Sequence, residues 1–456
     1  MQKFSQLLER QVKYILAGLL IAIPLYPKFP FLTVPGTYVS IRLEDIFLAA
    51  TLLLMAPYLY SKYREILTKP VEKAIALYLF VGGVSLISAI ILTQSVQIHI
   101  GILHLLRRIE YFVPFFLGVY AFRKQGPHLL EFLIKTLMIV VFALFIYGLG
   151  QRYLSWPVII TQNQEYAKGI ALRWIPGSHI TSTFAGHYDL STFLVLVLPV
   201  FVAIFFELKG RVTKISLLAV IFCGLWLLTN AVSRVSIVSY LIGVTGALLV
   251  LRKYKELTVV ILASLLLFNL SADLRGRFFR IFSVVKNRVD KVIVIPRPIY
   301  AQEGAPALAP FETAEPPASS VTEDRSTSIR FNVEWPRALR AYAKNPLLGS
   351  GYSSITLATD NDYLRALGET GILGFLALTL IFFRIGSLIF KKLPSINSFG
   401  PVEKAFLAGV IGALPGVALN AVFIDILEAS KFAIIFWLTV GILVGILRAK
   451  ENVENN

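Results

Sequence analysis

The chain has 456 residues, of which 56% are hydrophobic and 16% charged, with a formal net charge of +17 and a mean hydropathy of +0.71. Soluble domains carry about a quarter charged residues, so this composition excludes a soluble globular enzyme, a disordered chain and a fibrous protein. The single cysteine, Cys223, excludes a disulfide framework and a cysteine-based zinc site.

What remains is an all-α, polytopic membrane protein. A bilayer core of about 30 Å needs about 20 mostly apolar residues per helix. Twelve stretches qualify as candidate spans, centred on residues 14–26, 46–60, 74–92, 100–122, 132–150, 190–206, 215–229, 235–251, 257–270, 371–390, 405–423 and 432–447. The first and ninth are short. The charge on the short loops tests this count, because cytoplasmic loops collect Lys and Arg. One set of ends is crowded with cations, among them Lys62, Arg64, Lys69, Arg123, Lys124, Arg252, Lys253, Lys391 and Lys392. The short loops on the other side carry only Lys28, Arg42, Arg234 and Lys431. The alternation predicts an even number of spans with both termini cytoplasmic, and a first span that acts as a signal anchor. Helices 1–9 then occupy residues 1–271, with an outer loop at 151–189. Residues 272–367 form a large extracytoplasmic loop between helices 9 and 10, and residues 368–456 carry helices 10–12.

Within the large loop, residues 274–294 mix Phe278, Phe279, Phe282 and Val284 with Arg275, Arg277, Arg280 and Lys286. This is the pattern of a basic amphipathic helix at a membrane face or of an extension of span nine. Residues 295–327 are rich in Pro, Ala, Glu and Ser and read as a flexible insertion. Residues 328–345 read as a helix with Ser326 or Ser328 as N-cap, a kink at Pro336 and a cationic stripe of Arg330, Arg337, Arg340 and Lys344. The stripe is either a solvated face or a contact for phosphates. A two-glycine turn, Asn345-Pro346-Leu347-Leu348-Gly349-Ser350-Gly351, follows. Asp360, Asn361 and Asp362 then stand before span ten, as a helix cap or as polar groups at the outer mouth.

Charge inside the spans is costly and marks candidate sites. Arg107, Arg108 and Glu110 lie within span four, either pairing with one another or lining an anion-binding cavity. Arg234 follows Ser233 in a very short outer loop, against the topological bias. Arg173, His179, His187 and Asp189 close the earlier outer segment. The two histidines lack a fixed ligand spacing, so no metal is expected. Arg107, Arg108, Arg173, Arg234, Arg330 and Arg337 thus converge on the outer mouth, and guanidinium forks match phosphate oxygens. No phosphate-binding nucleotide loop, dinucleotide fingerprint or metalloprotease helix appears, and no nucleic-acid partner is expected.

Four blocks carry a resemblance: STFAGHYDLSTFLVLVLPV from Ser182, LLTNAVSRVSIVSYLIG from Leu227, SIRFNVEWPRALRAYAKNPLLGSGY from Ser328 and DNDYLRALGETGILGFL from Asp360. In this order they resemble the bacterial O-antigen ligase / O-antigen polymerase superfamily of polytopic glycosyltransferases, over about residues 180–380. The resemblance implies a metal-independent, inverting, cofactor-free transferase in the bacterial inner membrane, active in lipopolysaccharide or other surface polysaccharide synthesis. Its donor would be a polyprenyl-pyrophosphate-linked glycan and its acceptor a hydroxyl on lipid A-core or on another glycan, with membrane lipids around it. It assigns Arg234 and Arg330 to the pyrophosphate. Many members have His directly before the Asn-Asp-Tyr-Leu block, where this chain has Asp360. A carboxylate can still accept the acceptor's proton. The expected catalytic set is therefore Asp360, Arg234 and Arg330. Arg107, Arg108, Arg173, His187, Arg337, Asn361 and Asp362 are expected to bind substrate. The alternative reading is a transporter or flippase for an anionic lipid-linked substrate.

Overall fold

The computed structural model describes residues 2–27, 30–33, 40–158, 172–176, 178–269, 275, 328–355 and 358–449. In chain order the helices are α1 (Gln2–Leu25), α2 (Leu43–Thr68), α3 (Pro70–Ile91), α4 (Ile98–Gln125), α5 (Pro127–Tyr153), α6 (His187–Glu207), α7 (Arg211–Ala231), α8 (Arg234–Val250), α9 (Tyr254–Asn269), α10 (Trp335–Lys344), α11 (Asp362–Lys392), α12 (Pro401–Phe423) and α13 (Ser430–Ala449). Two short antiparallel hairpins, Pro30–Thr33 with Ser40–Arg42 and Pro157–Val158 with Leu172–Arg173, a π turn at Arg330–Glu334 and a 3-10 turn at Leu393–Ser398 complete the described elements. All twelve expected spans coincide with helices. Eight of them, α2, α3, α5, α6, α7, α11, α12 and α13, are long and apolar enough to cross a membrane. Of the other four, α1 and α8 offer shorter apolar stretches, α9 has 16 residues, and α4 carries Arg107, Arg108 and Glu110 in its interior. The expected amphipathic helix at 274–294 lies, except for Arg275, outside the described residues, as does the Pro-rich insertion at 295–327.

Helices α6 and α13 form the centre of the bundle, and nearly every side chain of Leu190–Ile204 and Ser430–Leu447 is buried. Between apolar helices in lipid there is little hydrophobic drive, so close backbone packing holds them together. Helix α12 crosses α8 where Gly412 faces Gly243 and Ala247 and Gly416 faces Ser239, and a Cβ at either glycine would strike the α8 backbone. Asn420 fixes the same crossing with polar bonds: Ser239 Oγ donates to its Oδ1 (2.9 Å), and its Nδ2 donates to Thr192 Oγ on α6 (3.1 Å) and Ser236 Oγ on α8 (3.3 Å).

Helix α11 is broken. Gly371 adopts φ 65°, ψ −171° in its interior, which separates residues 362–370 from 372–392. Span ten was expected to begin at residue 371, so the sequence boundary falls on the break rather than on the helix start. Non-helical backbone at membrane depth must find partners inside the protein. Here the two-glycine turn supplies them. Ser350 and Gly351 N–H donate to the carbonyls of Gly368 and Glu369 (2.9 and 2.8 Å), while Ile372 and Leu373 N–H donate to Pro346 and Leu347 (2.9 and 3.2 Å). Ser85 of α3 also donates to Leu348 and Glu369 carbonyls (2.5 and 2.9 Å), and Ser95 to Ser350 (2.6 Å). At the contact, Gly349 (φ 71°) and Gly371 lie so close that a Cβ on either would come within 2.5 Å of the other's nitrogen.

Gly371→Ala or Gly349→Ala should therefore lower the thermal stability of the detergent-solubilised protein sharply, by about 3 kcal/mol or more from strain and overpacking. Gly386→Ala is the control. It lies in the same helix with nothing within 4 Å of an added Cβ, and should be neutral or stabilising by about 0.5–1 kcal/mol. Equal melting temperatures for all three variants would contradict the docking of the turn.

Candidate active site

The site is assembled at one end of the bundle by the π turn Arg330–Glu334, the loop before α11, the first turn of α6 and the turn between α12 and α13. Arg330 opens the π turn. Pro336 has no N–H to donate, and the Trp335 N–H reaches back five residues to the Arg330 carbonyl. The expected kink at Pro336 is thus absorbed as a widened turn, a device often found at functional sites. Trp335 anchors it, with its ring centroid 4.5 Å from Phe331 and 6.4 Å from Phe423 at the end of α12.

Arg330 is only 7% exposed. Its Nε and Nη2 both contact Asp360 Oδ2, at 2.9 and 2.8 Å, and its guanidinium carbon lies 5.6 Å from the Tyr188 ring centre on α6. Burial pushes the Asp360 carboxyl above its ordinary range. The Arg330 cation opposes that rise, and the neighbouring Asp425 anion adds to it. Asp360 itself holds a left-handed backbone, φ 48°.

That conformation is held from across the bundle. Asp425 accepts the backbone N–H groups on both sides of Asp360, from Thr359 to Oδ2 (2.7 Å) and from Asn361 to Oδ1 (3.0 Å). In return, the Asp362 carboxylate accepts N–H groups of Ile426 (2.9 Å) and Leu427 (3.2 Å). The two loops clasp one another through exchanged aspartates. Beneath them Arg365 donates Nη1 to Asp425 (3.1 Å) and Nη2 to the Ile355 carbonyl (3.2 Å), and its Nε stands 3.4 Å from Glu369 and 3.5 Å from Glu428. Arg108 pairs with Glu428 and lies 3.7 Å from Glu369.

The other expected residues fall as follows. Arg107 pairs with Asp45 (3.4 Å), and Arg108 with the cluster just described, so the structure gives both arginines carboxylate partners other than Glu110. Asn361 is the N-cap of α11, accepting from Leu364 N–H (2.9 Å). Asp362, its neighbour, is buried in the clasp. Arg234 is the first residue of α8, half-buried behind its N-cap Ser233. A cation at a helix N-terminus opposes the helix dipole. It opens from the same end as Arg330: Tyr188 lies against Arg330, and one turn along α6 Thr192 joins Ser236 of α8 through Asn420. His187 stacks on His179, with centroids 4.1 Å apart, and on Tyr188 at 4.0 Å. Arg173 lies in the strand Leu172–Arg173 opposite Pro157. The expected cationic stripe divides, with Arg330 buried, Arg337 half-buried and Arg340 and Lys344 exposed.

Sequence reasoning missed Asp425, Arg365, Glu369, Glu428, Tyr188 and Glu334. Lys431, read from sequence only as a cation of a short outer loop, is fully buried and donates Nζ to the carbonyls of Pro24 (3.1 Å) and Thr183 (2.9 Å), tying α13 to α1 and to the loop before α6. The available signal was acidic residues on the cation-poor side of the membrane, which need buried partners. Glu334 faces the site from the π turn. Burial, then repulsion from Asp360, raises its carboxyl to about 7. Glu334 Oε2, Trp335 Nε1, Arg337 Nη1 and Thr359 Oγ are buried with no hydrogen-bond partner among the described residues.

A bundle of membrane-crossing helices with a buried arginine–carboxylate pair at one end defines a polytopic all-α membrane protein. Residues 217–379 match the family model described as O-antigen ligase. That segment contains Arg234, Arg330, Arg337, Asp360, Asn361 and Asp362, whereas Arg107, Arg108, Arg173, His187 and Asp425 lie outside it. No curated protein matches the chain. The family match supports a membrane glycosyltransferase-like role in surface polysaccharide biosynthesis.

Because the Glu334 carboxyl sits above its ordinary value in the folded state, its ionisation penalises folding increasingly as pH rises from about 4.5 towards 7 and beyond. Glu334→Gln should therefore raise the melting temperature over that of the parent at pH 8, with the gap shrinking towards pH 5. A difference independent of pH would contradict the burial of this carboxyl beside Asp360.

Proposed function

We propose that the chain transfers a glycan from a polyprenyl-pyrophosphate donor to an acceptor hydroxyl at the extracytoplasmic end of the bundle, with Asp360 as general base and Arg330 and Arg234 as pyrophosphate ligands. The observation that carries this reading is the Arg330–Asp360 pair, a buried guanidinium held against the carboxylate that stands where the sequence resemblance would put the base. In the reaction the acceptor hydroxyl gives its proton to Asp360, and its oxygen bonds to the anomeric carbon. The bond from that carbon to the phosphate oxygen breaks on the opposite face, inverting the centre, and its electron pair leaves with the pyrophosphate. Negative charge thus moves from the acceptor side to the diphosphate, where fixed guanidinium groups stabilise it without reorganising. A carboxyl raised by burial is a stronger base for this proton than an exposed one. The energy comes from the activated donor.

Two further features support the reading. An apolar groove of about 460 Å³ lies between α11, α12 and α13, lined by Tyr363, Phe375, Phe382, Phe390 and Phe436 among others. Its apolar walls suit an isoprenoid tail. Glu334, Trp335, Arg337 and Thr359 offer polar groups suited to sugar hydroxyls.

Asp360→Asn should lower the transfer rate about 10²–10⁴-fold, as expected for loss of a general base, with expression unchanged. Arg330→Ala and Arg234→Ala should each reduce it about 10²-fold or more. The assay is transfer of labelled glycan from lipid-linked donor to acceptor in proteoliposomes. Parent-level transfer by all three variants would reject the reading. Movement of the labelled lipid across the vesicle without chemical change would favour a flippase instead.

A further inference from the structure

We propose that Asp425, in the turn between α12 and α13, is a positioning residue for Asp360. The inference rests on the reading of Asp360 as the base, and it adds a residue outside the family-matched segment.

The loop residue at 360 sits in the left-handed region, φ 48°, an unfavourable conformation for a residue with a Cβ unless its surroundings fix it. A single carboxylate does so by taking the N–H group before Asp360 at 2.7 Å and the one after it at 3.0 Å. With both flanking amides tied to one anion, the carboxyl at 360 is turned towards Arg330, which meets it at 2.8 Å. Asp425 is in turn held by Arg365 at 3.1 Å, and its own turn is held by Asp362 through Ile426 and Leu427. An ordinary helix cap would have used a side chain of the same loop, and Asn361 already provides one. The acid at 425 is thus surplus to capping.

Asp425 also acts by charge. The charged groups around Asp360 are Arg330 and Glu334 on the π turn, Asp425 on the α12–α13 turn, and Arg365 bound to Asp425 on α11. Among these, Asp425 is an anion that holds the proton on Asp360 more tightly. Removing that charge should let Asp360 lose its proton at lower pH, a change that scaffolding alone would not produce.

The test uses the full-length protein in proteoliposomes with the transfer assay. Asp425→Asn keeps the shape but removes the charge and one accepting oxygen. Its kcat should fall about tenfold to a hundredfold, while KM for the donor changes less than about twofold. The acid limb of its pH–kcat profile should move to lower pH by about half a unit or more. Asp425→Glu restores the charge, so its acid limb should return to the parent position while kcat stays reduced. A parent-like kcat and limb in Asp425→Asn, or a loss of activity with an unmoved limb, would overturn the proposal. If Asp425→Asn fails to fold, Asp425→Glu decides: a parent-like kcat refutes positioning, and a reduced kcat with an unmoved limb supports it. Asp360→Asn separates the two levels. Should that variant remain active, the base assignment falls; should it be inactive while Asp425→Asn behaves as the parent, only the present inference falls.

Discussion

Arg365 is the group on which the site end depends. Its guanidinium reaches Asp425, Glu369, Glu428 and the Ile355 carbonyl, so one buried cation joins the α12–α13 turn, the first half of α11 and the loop before it. A charge in such surroundings is costly unless every partner is in place. The same expense makes the arrangement selective: a loop displaced by a few ångströms would leave a carboxylate or a guanidinium unpaired in an apolar bundle. Arg108 extends the network to α4 through Glu428 and Glu369. The Arg330–Asp360 pair is joined to this network through Asp425, which takes the amides on both sides of residue 360.

The broken helix serves the same network. An uninterrupted α11 would keep the carbonyls of Gly368 and Glu369 for its own turns. The interruption at Gly371 hands them to Ser350 and Gly351, fastening the segment that follows α10. The π turn, α10 and the two-glycine turn are therefore attached to the membrane bundle by backbone bonds as well as by side chains. This is how a segment far along the chain from α3 comes to lie against Ser85 and Ser95.

The sequence made the helices legible because their signal is local. Apolar runs of fixed length and alternating loop charge predict the twelve helices, and α4 was found despite its internal charges. Arg234 stood out for a different reason, as a cation placed against the topological pattern, whereas Arg330 and Asp360 stood out through the motifs that carry the resemblance. Arg108 was conspicuous too, but its partners Glu369 and Glu428 lie hundreds of residues away, and nearness in sequence suggested Glu110. Asp362 and Asp425 show the limit most clearly. Each looks like an ordinary residue beside a helix end, and only the fold reveals that each holds the other's loop. The widened turn at Arg330 was likewise hidden, since Pro336 announces a disturbance but not its form.

The backbone at position 360 bears on how such sites diversify. A left-handed residue at φ 48° is tolerated best by Gly, Asn, Asp and His among the natural side chains. The sequence resemblance implies His, in many members, where this chain has Asp. Both residues fit the same twist, and their codons differ by a single base. An imidazole and a carboxyl can therefore replace one another here without a change in the backbone that carries them.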